Sequence, residues 1–125
     1  MLILAVIILA SVVASVTDWL FMDLLVHRSY QKSPQIWRRN EGASRILVSE
    51  IIGTSASAAA ILLCSLVPGR PLLVAAILWG AGPAPVILQN LQWLLMPPEI
   101  AASHSAGWLA RLLIATELAD WLLRP

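Results

Sequence analysis

From residue 72 to residue 96 the chain carries no Asp, Glu, Lys or Arg. A helix needs about 20 mainly apolar residues to cross a hydrocarbon core roughly 30 Å thick, so an uncharged run of this length reads first as a membrane span. Three further segments follow the same pattern, and the four candidate spans are residues 2–26, 46–67, 72–96 and 100–123. The first carries Asp18 and Asp23 in its second half, the second carries Glu50, and the fourth, the least apolar, carries Arg111, Glu117 and Asp120. Composition agrees. Hydrophobic residues make up 59% and charged residues 12%, against roughly 45–50% and about 25% in soluble domains.

The 8 basic and 7 acidic side chains leave a net charge of +1, which supplies no field for phosphates and argues against nucleic acid as a partner. Cys64 is the single cysteine, so an internal disulfide and a Cys-rich metal or redox site are excluded. A cleaved signal peptide would mimic the first span, but it opens with a basic stretch, and the first Lys or Arg here is Arg28. At 125 residues the expectation is one domain, residues 1–125: an all-α, integral membrane, antiparallel four-helix bundle.

Breakers mark the connections. Pro68, Gly69, Arg70 and Pro71 make a tight turn between spans two and three, and Pro97 and Pro98 end span three. Gly80, Gly82, Pro83 and Pro85 interrupt span three near its middle, which predicts a kink. The first loop is longer. Ser33 followed by Pro34 has the form of an N-cap and first helical position, predicting a short interfacial helix over 35–39 with Trp37 at headgroup level. This loop holds Arg28, Lys32, Arg38, Arg39 and Arg45, against Arg70 and Arg124 on the other side. The excess of positive charge predicts a cytoplasmic first loop, both termini outside, and a multi-pass protein of a bacterial inner membrane.

Ionisable groups at mid-membrane cost about 2.5–3.5 kcal/mol each on insertion scales, so each needs a partner or a purpose. At 1.5 Å per residue, Asp18, Glu50, Gln89, Gln92 and Arg111 all fall roughly 3–12 Å to the cytoplasmic side of their spans' midpoints. Helical phase aligns Ser11, Ser15 and Asp18 on span one, Glu50, Thr54 and Ser57 beside Gly53 on span two, and His104, Trp108 and Arg111 on span four. Glu117 and Asp120 share a different face in the outer half. The expected inward cluster is Asp18, Glu50, Gln89, Asn90, Gln92, His104 and Arg111, bordered by Trp93 and Trp108. Arg111 is expected to pair with Asp18 or with Glu50.

One reading of the cluster is a structural network that fixes register. A second is a polar-tipped cavity that binds a small apolar or amphiphilic ligand, with Gln89, Asn90, Gln92, Trp93, His104 and Trp108 as lining residues. A third is a membrane-embedded isomerase, cyclase or hydrolase acting on a lipid or terpenoid, with Asp18, Glu50 and Arg111 as its acid–base machinery, because two desolvated carboxylates around one cation divide into an acid and a base. An accessory subunit that associates through small-residue faces such as Gly53-x-x-x-Ser57 is a further alternative. The implied partners are the lipid bilayer, a small lipophilic ligand, and further copies of the chain. No cofactor or metal is implied. No pair of His is placed for haem or metal, and Asp23 with His27 supplies too few ligands. Trp19, Trp37, Trp93 and Trp108 fall toward the cytoplasmic half, as an aromatic belt does.

The segments Thr17-Asp-Trp-Leu-Phe21, His27-Arg-Ser-Tyr30, Pro34-Gln-Ile-Trp-Arg38 and Ala102-Ser-His-Ser-Ala-Gly-Trp-Leu-Ala-Arg111 resemble the small four-span bacterial membrane proteins grouped as the domain-of-unknown-function 1761 family. The likeness covers most of the chain in hydropathy and loop length. It implies a four-helix fold and carries no activity with it.

Overall fold

The computed structural model describes residues 1–21, 27–33, 42–94 and 96–124. Within them the chain is helical: α1 (Leu2–Phe21), α2 (His27–Gln31), α3 (Ala43–Leu66), α4 (Pro71–Ala81), α5 (Pro83–Trp93) and α6 (Pro98–Leu123). Three stretches are long and apolar enough to cross a membrane, namely Leu2–Phe21, Ile46–Leu66 and Pro71–Trp93.

The boundaries follow from local chemistry. Proline stands at the first turn of α4, α5 and α6, where its missing N–H costs nothing. Between α3 and α4 the chain turns at Gly69, whose φ of 78° is a conformation that side chains rarely adopt. That turn is held from α6, because Asp120 accepts the Gly69 amide at 3.1 Å and pairs with Arg124 at 2.7 Å. Asp120, half-buried near the end of α6, therefore has a structural task.

The expected single span over 72–96 is two helices of 11 residues each, separated at Gly82. Pro83 and Pro85 have no N–H to return to the carbonyls of Trp79 and Ala81, and their rings crowd those carbonyls, so the ladder breaks instead of bending. The Gly82 amide still reaches Leu78 at 3.0 Å and closes α4. In the first loop, the described helix is α2, ahead of the expected one. The expected helix at 35–39, Trp37, and the Asp23 partner of His27 lie outside the described residues, and His27 pairs with Gln31 at 2.9 Å.

The packing is inverted relative to a water-soluble protein. Ala10, Ala14, Ser57, Ala60, Ala75, Ala115 and Ala119 fill the interior, while Ile8, Val12, Val16, Ile51, Ile52, Leu62, Ile77 and Leu88 point outward. Small interior residues let helices approach closely, and an outer surface of this apolarity suits lipid rather than water. The hydroxyls of Thr17, Ser55, Ser57 and Thr116 return to carbonyls of their own helix, as polar groups in an apolar setting must.

Although α6 is the least apolar of the long helices, it packs against α1, α2, α3, α4 and α5. Val6 and Ala10 of α1 share a core with Ala60 and Cys64 of α3, Val74 and Ala75 of α4, and Leu112, Ala115 and Ala119 of α6. The Trp79 indole donates to the Ser105 carbonyl at 3.1 Å and fastens α4 to the first half of α6. The other helices shield the polar groups that α6 carries, and its first half forms the wall of the site.

Candidate functional site

At the end of α1, the first half of α3 and the first half of α6, polar side chains meet around a partly open cavity of about 260 Å³. From α1 it takes Asp18 and Phe21, from α3 Ser49, Glu50 and Gly53, and from α6 Ser103, His104, Gly107, Trp108 and Arg111. The α6 residues recur at three- and four-residue intervals, the spacing that places side chains on one helical face.

Arg111 pairs with Asp18. Its Nη2 and Nε both donate to Oδ2 of Asp18, at 2.6 and 3.2 Å. The arginine side chain is 7% exposed and the aspartate 37%. Gly53 makes room for the pair, and Gly107 lies beside it. A Cβ at Gly53 would lie against Nη1 of Arg111 and 2.7 Å from Cζ, closer than atoms pack, so the guanidinium rests on bare backbone. A Cβ at Gly107 would come to 3.4 Å from the other Asp18 oxygen, Oδ1.

The second acid candidate is engaged differently: Oε2 of Glu50 accepts the Ser15 hydroxyl at 2.6 Å. Glu50 is exposed on the open side of the cavity, whereas Arg111 is enclosed. His104 is hydrogen-bonded through Nε2 to the hydroxyl of Tyr30, the only tyrosine of the chain, and the rings stand edge to face at 5.9 Å. Tyr30 is buried with Ile100, against Phe21 and Met96, and burial pushes its hydroxyl up to about 12.

Two buried polar atoms on the cavity wall have no hydrogen-bond partner among the described residues: Nη1 of Arg111 and Oγ of Ser103. An unmade bond of this kind costs about 1–3 kcal/mol, more for a charged group. The amides expected to complete the network are elsewhere. Gln89 and Gln92 are exposed on α5, Asn90 is half-buried, and Trp93 is 84% exposed; none of the four lines the cavity. Depth alone placed them inward. Rotation about the helix axis decides which way a residue faces, and the break at Gly82 resets it.

Several lining residues escaped the sequence reading. Ser49 and Phe21 carry no charge pattern, and Ser103 precedes the more conspicuous His104; Tyr30, which bonds His104 and is not on the cavity wall, lies in a loop sequence. A glycine one turn before an arginine in an apolar helix, as Gly107 stands before Arg111, is the signal that was present. Among the described residues no three His, Cys, Asp or Glu side chains converge to hold a metal ion.

No family model, curated protein or solved structure matches the chain.

Proposed function

We propose that this chain is an integral membrane protein, a four-span antiparallel bundle of a bacterial inner membrane, that binds a small amphiphile by its polar end in the cavity between α1, α3 and α6. The observation that carries this reading is the pair of buried, unpartnered polar atoms, Arg111 Nη1 and Ser103 Oγ, on the wall of one cavity. Both atoms are enclosed in the cavity wall, and an unmet guanidinium nitrogen there is a group that a bound oxygen would satisfy once the wall admits it. The apolar outer surface, the small-residue interior and the enclosure of α6 support the membrane setting.

The enzyme reading loses one of its two acids. Asp18 is committed to Arg111, and His104 to Tyr30, which leaves Glu50 as the one carboxylate on the cavity free of an ion pair among the described residues. Binding is therefore preferred to catalysis.

Native mass spectrometry of the protein released from mild detergent tests the proposal. The wild type is expected to carry an additional small amphiphile, and a Ser103→Leu variant, which enlarges a lining side chain at a position outside the Asp18–Arg111 pair, is expected to release as bare polypeptide. A wild type that is bare under the gentlest release, and binds no added amphiphile, would sink the proposal.

A further inference from the structure

The walls of this cavity also specify the head group. Resting on the binding reading above, we infer that the ligand is a lipophilic alcohol, recognised through its neutral hydroxyl.

The hydrogen-bond inventory gives the first constraint. A guanidinium only donates, so the group that meets Arg111 Nη1 must accept. Ser103 stands on the same wall with its hydroxyl unused, and a hydroxyl donates or accepts as required. Both residues are more than nine-tenths buried, so bulk water is a poor substitute for the missing partner.

Charge gives the second. The guanidinium is already answered by Asp18 through two hydrogen bonds, and Glu50 adds a second carboxylate to the same cavity. With two formal negative charges against one positive, a carboxylate or phosphate head would bring a third negative charge into an apolar surround, where like charges repel strongly. A cationic head would suit Glu50 but would press its charge against the unpaired face of Arg111. A neutral head avoids both.

Among neutral oxygens, a hydroxyl satisfies both sides of the cavity. Its lone pairs take the Arg111 and Ser103 protons, and its own proton goes to Glu50, whose carboxylate retains acceptor sites beyond the one used by Ser15. An ether or ester oxygen accepts equally well and offers Glu50 nothing. Phe21 and Trp108 are the apolar side chains on the wall that the first carbons would meet.

The test is a chain-matched series, 1-dodecanol, dodecyl methyl ether, dodecanoic acid and dodecylamine, each titrated onto the full-length protein and read by native mass spectrometry. The alcohol is expected to bind about tenfold or more tightly than the other three. Ser103→Ala, which deletes one oxygen and keeps the fold, is expected to weaken the alcohol severalfold. Glu50→Gln is expected to bring the ether level with the alcohol and to admit the acid. Equal binding of ether and alcohol to the wild type, or preference for the acid or the amine, overturns the hydroxyl while leaving an amphiphile site in place. Failure of all four to bind a protein whose thermal melt remains cooperative overturns the cavity reading itself.

Discussion

Oδ2 of Asp18 takes two hydrogen bonds from Arg111, at 2.6 and 3.2 Å, across 93 positions of sequence. This contact fastens the end of α1 to α6, and it consumes the positive charge that would otherwise dominate the cavity. Glu50, on the same cavity, is left to Ser15.

If that pairing is as close as the geometry states, Arg111→Met strands Asp18 and is expected to cost about 1–3 kcal/mol, less than for a fully buried pair because the aspartate side chain is 37% exposed and keeps part of its solvation. Adding Asp18→Asn should return a substantial part of the loss, whereas adding Glu50→Gln should return none. Unfolding in mixed micelles, run as two double-mutant cycles, gives the answer; coupling of Arg111 to Glu50 instead of Asp18 would contradict the assignment.

Gly53→Ala separates helix propensity from space. In an ordinary helix interior alanine is favoured over glycine by about 1 kcal/mol. At this position the new Cβ meets a guanidinium that the aspartate holds in place, and overpacking of this kind costs typically 1–3 kcal/mol. The variant is expected to be less stable than the wild type, and the same change made beside Arg111→Met is expected to be neutral or stabilising. A stabilised single variant by thermal melt would show that the arginine moves aside freely.

The Tyr30 hydroxyl titrates at about 12 in the fold, raised by burial from its ordinary 10.0. The folded state therefore holds the proton more tightly than the unfolded chain. Its contribution is complete below pH 10 and is lost as the pH rises through 12. A melting temperature followed from pH 9 to 12 should fall over that interval, and Tyr30→Phe should remove this part of the fall while costing about 1 kcal/mol at neutral pH for the lost bond to His104. An identical alkaline slope in the phenylalanine variant would contradict the assignment.

Five basic residues in the first loop against two on the other side predict that the loop is cytoplasmic. In a Cys64→Ser background, a cysteine introduced at Gln35 is expected to resist a membrane-impermeant thiol reagent in intact cells and to react after lysis. Labelling in intact cells would reverse the topology.

Much of the fold is legible in the sequence because its causes are local. Uncharged runs and the Pro and Gly residues at 68–71, 82–85 and 97–98 each act within a turn or two, so the helices and most of their ends follow from neighbours in the chain. Depth follows too, since it is only a distance along a helix axis, and it brought Asp18, Glu50, His104, Trp108 and Arg111 to one level. Rotation and partnership do not follow. Gln89 and Gln92 have the same depth as the site and face away from it, because a break at Gly82 reorients everything after it. Which acid meets Arg111 is likewise set by packing. Asp18 and Glu50 are similar in chemistry and depth, and Arg111 reaches Asp18 across bare backbone at Gly53, where the guanidinium occupies the space a side chain would have filled.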